Sequence, residues 1–228
     1  SVLFYVFIYT IWLKRKTPQN IVIGGVAGST PPLIGWIVAS MDTIPANMNP
    51  FDLGSPVPWM LFFLIFAWTP PHFWALALYR SGEYGKVGVP MLPDVKGPDR
   101  TLKESKFYCI LLLLIGSVPC FWPGSGLPLA WAFIAGYLTL WYSISVWRID
   151  PREELDSNGR MPLAFASFMR SLGYLAWMFI AFVYIVAVPK EHIWYYSGLL
   201  LIVIPLVNEL AIGWKNSAGK NRKVLNSE

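Results

Sequence analysis

Long unbroken apolar runs organise this chain. Stretches at residues 20–41, 58–80, 106–123, 126–148, 168–188 and 192–213 each approach the ~20 residues that cross a hydrocarbon layer as a helix. A shorter run of 13 residues, "SVLFYVFIYTIWL", opens the chain at residues 1–13. It lacks the charged start and the small-residue cleavage site of a signal peptide, and it falls short of a full span. The expectation is the end of a span, in a chain truncated at its N-terminal side. Proline and glycine punctuate the connections, as in "IPANMNPFDLGSPVP", "WPGSGLP" and "VPKEH". There is no repeat of fixed period and no low-complexity tract. The pattern predicts an all-α, polytopic transmembrane helix bundle, one domain over residues 1–228, with a cytoplasmic tail at 214–228.

Composition agrees, and charge supplies the orientation. The chain is 55% hydrophobic and 14% charged, where a soluble domain carries roughly 25% charged residues. Its twelve tryptophans suit the membrane–water interface. With the predicted spans in place, seventeen of the eighteen Lys and Arg fall on one side, and only Lys190 falls on the other. The positive-inside rule makes the crowded side cytoplasmic or its organellar equivalent. The pI of about 9.2 is therefore a topology signal, and no nucleic-acid partner is expected. Cys109 and Cys120 are eleven residues apart in or at the end of one run. A helix separates them by about 16 Å, too far for a disulfide.

Two stretches carry candidate chemistry. The first is "YTIWLKRKTPQNIVIGGVAGSTPPLIGW", Tyr9 to Trp36. Lys14, Arg15 and Lys16 follow the first apolar run, and three cations at a helix end most often anchor topology. Asn20 enters the next span, where Gly24, Gly25 and Gly28 leave one face nearly bare, which lets helices approach closely. Pro31 and Pro32 then free carbonyls at mid-span that need other partners. Cations above such a helix would clamp an anionic group such as a diphosphate.

The second stretch runs from "PPHFWALALYR" into "EYGKVGVPMLPDVKG". Pro70 and Pro71 predict a kink at mid-span. His72 lies at membrane depth, where a polar side chain is a functional candidate or a histidine satisfied by a backbone carbonyl. Arg80 ends the helix eight residues later on roughly the same face, and Glu83 and Tyr84 follow on a glycine-broken loop. Glu83 is either a solvated neighbour of these cations or a ligand for a hard cation such as Mg²⁺, which uses few protein carboxylates and takes substrate phosphates for the rest. In "DPREELD", the acids Asp150, Glu153, Glu154 and Asp156 interleave with Arg148, Arg152 and Arg160, which favours a salt-bridged loop. Asp94 and Asp99, in "LPDVKGPDR", read as solvated turn residues, and Glu209 as a residue reaching the head groups. No zinc spacing, phosphate-cradling glycine loop or Ser/His/Asp constellation is present.

Taken in order, "YTIWLKRKTPQNIVIGGVAGSTPPLIGW", "PPHFWALALYR" and "EYGKVGVPMLPDVKG" resemble the haem O synthases, or protohaem IX farnesyltransferases, within the UbiA-type intramembrane prenyltransferase superfamily. The likeness is good over residues 1–150 and loose beyond. It implies a bundle of nine transmembrane helices around a cavity open to the cytoplasmic side, with this chain starting late in the fourth. It implies that the first aspartate-rich motif lies in the missing part and that the second falls at Glu83–Tyr84, where relatives usually carry Asp-Tyr. The span at 192–213 exceeds the family's usual count.

The implied activity is transfer of a farnesyl group from farnesyl diphosphate to a vinyl group of haem b, giving haem O for haem-copper oxidase assembly. The resemblance assigns Lys14, Arg15 and Glu83 to catalysis, with Glu83 as the Mg²⁺ ligand. It assigns Tyr9, Lys14, Arg15, Asn20, His72, Arg80 and Tyr84 to substrate binding, with His72 as an iron ligand or propionate partner. Implied partners are the two substrates, the bilayer, and haem A synthase or oxidase assembly factors. The implied location is the bacterial inner membrane, or the mitochondrial inner membrane in a eukaryote. Two other readings stand beside it: a related prenyltransferase acting on a quinone or chlorin, and a membrane transporter subunit, which would also use kinked helices and an intramembrane histidine.

Overall fold

Proline sets where most of the helices start. The structure, a computed structural model, describes residues 2–40, 53–122 and 125–189. Its described residues are helical, without a strand: an opening helical segment Phe4–Leu13, then α1 (Asn20–Gly28), α2 (Pro31–Ala39), α3 (Val57–Tyr79), α4 (Glu83–Lys86), α5 (Leu92–Ser117), a short 3₁₀ turn Val118–Phe121, α6 (Leu129–Trp147) and α7 (Pro162–Ala187). Proline sits in the first turn of α2, α3 and α5, and α7 begins with Pro162. In the first turn the missing N–H costs nothing, because that donor has no intrahelical partner anyway.

Five helical stretches among the described residues are long and apolar enough to cross a membrane: Asn20–Ala39, Val57–Tyr79, Leu92–Phe121, Leu129–Trp147 and Pro162–Ala187. The protein is an integral membrane protein of the polytopic helical kind. The predicted span at 192–213, the tail at 214–228 and Lys190 lie outside the described residues.

The span entered by Asn20 is two helices. Pro31 and Pro32 end α1 and start α2; the Thr30 hydroxyl takes up the Ala27 carbonyl that Pro31 cannot serve, and the Ser29 hydroxyl adds a bond in the last turn of α1. Ser29 Oγ donates to Gly25 O at 2.6 Å, and Thr30 Oγ1 to Ala27 O at 2.9 Å. α3, by contrast, runs as one helix through Pro70 and Pro71, and Thr69 Oγ1 donates to Ile65 O at 2.8 Å just before them.

Two elements differ from the sequence expectation. "LPDVKGPDR" is helical rather than a run of turns. Its two Pro-Asp pairs each start a helical piece, and the pieces meet at Gly97, whose φ of +79° breaks the winding. α5 therefore carries Lys96, Arg100 and Lys103, with Arg100 paired to Glu104 at 2.8 Å. α7 begins at Pro162, six residues before the apolar run that predicts it, so Arg170 lies within the helix, its guanidinium 5.2 Å from the Trp141 ring centroid.

The chain divides into two compact units, Ser1–Met178 and Phe179–Glu228. The described part of the second is the last turns of α7 and the residues just beyond. In the first, α3 packs against α1, α2 and α5, and α5 packs against α6. Small residues and buried polar groups make these contacts, as expected where lipid removes the hydrophobic drive between helices. Trp131 Nε1 donates to Gly116 O at 2.8 Å across α5 and α6. Thr139 meets the Tyr174 hydroxyl at 3.2 Å, and Ser145 meets Ser167 at 3.1 Å. Both cysteines are free thiols.

A side chain on Gly116 would meet Ala135 at 3.3 Å, whereas one on Gly28 would meet nothing within 4 Å. Gly116→Leu is expected to lower the melting temperature in detergent by the equivalent of about 1–3 kcal/mol, the usual cost of overpacking. Gly28→Leu should leave it nearly unchanged. Equal melting of the two variants would contradict the α5–α6 contact described here.

Candidate active site

Asn20 stands where the basic cluster meets the carboxylate loop. It is fully buried at the first turn of α1. Its Nδ2 donates to Lys14 O at 3.0 Å and to Pro90 O at 3.3 Å. Both neighbours are carbonyls, so only the NH₂ end of the amide can serve them, and the amide orientation follows. The bond crosses seventy residues of sequence. It fixes the end of the basic triplet against the end of the loop that carries Glu83 and Tyr84. Asn20 Oδ1 has no hydrogen-bond partner among the described residues. Lys14 is half-buried, and Arg15 and Lys16 are exposed.

One helical turn below Asn20, α1 turns a glycine face to an open groove of about 600 Å³. That volume falls within the roughly 300–1,000 Å³ of small-molecule sites. Tyr9, Gly24, Gly25, Gly28, Trp68 and Phe73 are among its lining residues. The glycines act differently. A Cβ on Gly24 would lie 2.6 Å from the Tyr9 ring, so Tyr9 rests directly on bare backbone. A Cβ on Gly25 would meet the Thr69 methyl at 3.3 Å, while Gly28 opens onto free space. An apolar groove thus begins within one turn of a polar rim.

On the loop that ends at Pro90, the carboxylate of Glu83 lies between two arginines. Oε1 pairs with Arg160 Nη2 at 2.9 Å and Oε2 with Arg80 Nη1 at 3.7 Å. All three side chains are partly exposed, so their value is in placing charge more than in stability. Arg160 also caps the Tyr79 ring at 5.1 Å from its centroid and reaches the Tyr79 hydroxyl at 3.4 Å. That hydroxyl, and then Glu83, hold the guanidinium above its ordinary pKa. Burial chiefly raises the Tyr84 phenol; Arg80 lowers it and Glu83 raises it further. Tyr84 O accepts the Val89 N–H at 3.1 Å, and Asp94 Oδ1 accepts the Gly82 N–H at 3.2 Å, so the loop is tied at both ends.

Arg160 and Asp94 are the residues that sequence reasoning missed. Asp94 is read there as a solvated turn residue, yet it anchors the loop from the first turn of α5. Arg160 is expected there to pair within "DPREELD". The acids of that segment instead hold backbone: Asp150 accepts from Arg152 N, Glu153 from Leu163 N, and Asp156 from the N–H groups of Asn158 and Arg160. The turn signal "DSNGR" marks a rigid platform for Arg160, but nothing local points to a partner 77 residues away.

His72 is 6% exposed and packs α3 against α7. Its ring stacks between Trp68, at 4.2 Å, and Phe168, at 4.7 Å. Its Nδ1 meets Ser171 Oγ at 2.6 Å. The partner is a hydroxyl rather than the backbone carbonyl considered from sequence, and both ring faces are covered, so Nε2 is the ring nitrogen left for any further ligand.

Among the described residues no group of three or more His, Cys, Asp or Glu comes together. The one predicted metal ligand, Glu83, has each oxygen against a guanidinium. The described residues therefore do not fit a resident Mg²⁺ ion; their charge balance suits an anion.

Two substitutions test this geometry. Asn20→Leu strands two carbonyls, at a cost on the order of 1–3 kcal/mol per unsatisfied buried group. It should lower the melting temperature and expose the 80–91 loop to protease; wild-type behaviour would contradict the bridge. Gly24→Ala should displace Tyr9 and quench or shift ligand-sensitive tyrosine fluorescence, and an unchanged signal would contradict the close approach.

The sequence profile of the UbiA prenyltransferase family matches residues 1–172. The chain is similar to the protoheme IX farnesyltransferase of Parvibaculum lavamentivorans, 45% identical over 161 residues, which is 70% of this chain and 47% of the relative. It is similar to that of Sinorhizobium fredii, 40% identical over 201 residues, 87% of this chain and 57% of the relative. It is also similar to that of Methylocella silvestris, 51% identical over 122 residues, 53% and 35% of the two chains. This chain spans about half the length of the curated relatives it matches. No solved structure matches it. A profile match over residues 1–172, with an apolar groove one turn from a cationic rim, leads to one conclusion: the chain belongs to the UbiA prenyltransferase family.

Proposed function

We propose that this protein transfers the farnesyl group of farnesyl diphosphate to a vinyl group of haem b, giving haem O for haem-copper oxidases. The observation that supports the reading is the Asn20 bridge, which joins Lys14, where the basic segment begins, to Pro90, where the Glu83 loop ends, one helical turn from an apolar groove. The similar proteins named above are protoheme IX farnesyltransferases, which supports the choice of acceptor. No observation favours a quinone or chlorin acceptor, or a transporter.

In this reading the isoprenoid lies along the Gly24–Gly28 face and the diphosphate stays at the rim. The allylic C–O bond breaks, and its electron pair leaves with the diphosphate. Lys14, Arg15 and Arg80 stabilise the charge that grows there. A haem vinyl group donates its electron pair to the allylic carbon, water adds to the resulting cation, and a proton is lost. Tyr9, Trp68 and Phe73 keep water from the allylic cation until then. His72 would reach the porphyrin through Nε2. The expected Mg²⁺ belongs to the reading as an ion brought with the diphosphate, whose oxygens it would neutralise. The proposed setting is a bacterial or mitochondrial inner membrane, with haem A synthase or oxidase assembly factors receiving the product.

Membranes containing the protein, supplied with haem b, farnesyl diphosphate and Mg²⁺, should yield a haem heavier by one farnesyl group and one hydroxyl by mass spectrometry. Solute flux without prenylated haem would overturn the reading. Lys14→Ala should raise KM for farnesyl diphosphate about tenfold, the worth of one charge-assisted contact, and leave KM for haem unchanged. Unchanged kinetics for both substrates would remove Lys14 from the site.

A further inference from the structure

Around Glu83 two guanidinium groups share one carboxylate, and one of them has a built support. Arg80 and Arg160 together face one carboxylate, and Lys86 follows at the end of α4. Arg160 is held from both directions. Its own N–H donates to Asp156 Oδ1 at 2.9 Å, and its carbonyl accepts the Asp156 N–H at 2.8 Å. The turn closes through Gly159 at φ +72°, a conformation that L side chains rarely adopt. Tyr79, under the guanidinium, is packed against a buried cluster of Leu78, Leu102, Ile149, Met161 and Ala164. A flexible surface arginine has none of this. Here the backbone, the aromatic platform and the carboxylate all fix one guanidinium beside the Glu83 loop.

A carboxylate between two arginines is a poor place to put a bare metal ion and a good stand-in for an anion. Oε1, 2.9 Å from Arg160, occupies the position that a phosphate oxygen would take against that guanidinium, and Arg80, 3.7 Å from Oε2, is within ion-pair range of a second oxygen. We propose that Arg160 is a diphosphate-binding residue, and that Glu83 is its counter-ion in the substrate-free protein, displaced from the arginines when a diphosphate docks. This inference rests on reading the rim as the diphosphate site. It assigns to Glu83 a role other than resident metal ligand and adds a binding residue from the far end of the sequence. No bond is made or broken; two arginines exchange one anion for another.

The exchange makes an unusual prediction: Glu83 competes with the ligand. In the full chain in lipid nanodiscs, binding of inorganic pyrophosphate is measured by calorimetry in EDTA and again with Mg²⁺. Glu83→Gln should bind pyrophosphate several-fold more tightly than wild type in EDTA, because the competing charge is gone. Arg160→Ala should bind at least tenfold more weakly in both conditions, and Arg160→Lys should recover part of the loss without the bidentate fork. Melting curves of both Arg160 variants accompany the titrations, so that unfolding is not scored as lost affinity. Pyrophosphate affinity unchanged in Arg160→Ala would overturn the proposal. So would a Glu83→Gln variant that binds normally in EDTA and is weakened only when Mg²⁺ is present, which is the behaviour of a metal ligand. The transfer reaction is judged separately: the predicted binding pattern without prenylated haem would leave the clamp standing and remove the farnesyl-transfer reading.

Discussion

One buried amide joins the two halves of the site. Asn20 has two N–H bonds to give, and both go to carbonyls from distant parts of the chain, Lys14 and Pro90. Within a membrane protein such a bond has few substitutes. Leucine has no donor, aspartate has none when ionised, and glutamine would place its amide a methylene further out. Because Asn20 is also the first residue of α1, the same residue that gathers the rim starts the helix whose glycine face forms the groove one turn below. A polar rim and an apolar groove are thereby fixed relative to one another by a single side chain and one turn of helix.

A second line of contacts runs from the rim into the bundle between α3 and the start of α7. Arg160 caps Tyr79, Tyr79 packs on Phe165 at 4.8 Å, Phe165 faces Phe168 at 6.3 Å, and Phe168 stacks on His72 at 4.7 Å. His72 in turn stacks on Trp68, which lines the groove. Aromatic pairs of this kind contribute roughly 0.5–1.5 kcal/mol each beyond their buried area. The ladder braces the Glu83 clamp from beneath and makes His72 part of the wall behind the groove. His72 is not among the residues lining the groove, and its hydrogen bond to Ser171 gives one of its two ring nitrogens a partner at that depth.

Much of this was legible in the residues because it is local. Apolar run length predicts the helical membrane architecture, and Pro31–Pro32 marks mid-span carbonyls that need other partners; the structure divides that span into α1 and α2 and gives Ala27 O to the Thr30 hydroxyl. The basic triplet, Asn20 and the Gly24–Gly28 face could be singled out because spacing on a helix decides which side chains share a side. Proline misleads where it occurs twice in a short polar stretch: Pro93 and Pro98 read as turns, yet each begins a helical piece of α5. What could not be read is the long-range pairing. Arg160 sits among four acids in the sequence and leaves them for Glu83, because three of them, Asp150, Glu153 and Asp156, are taken up by backbone N–H groups at the turn and at the start of α7. Periodicity carries no information about a partner on another helix.

The central claim is that the basic segment and the Glu83 loop form one site on one side of the bilayer. Spin labels at Lys16 and Lys86, both exposed and both outside the contacts described, test it in the full chain in nanodiscs. Pulsed electron paramagnetic resonance should give a single distance distribution well below the ~30 Å of the hydrocarbon core. A separation of about 40 Å or more, the span between opposite head-group layers, would mean that the two never meet around a common ligand.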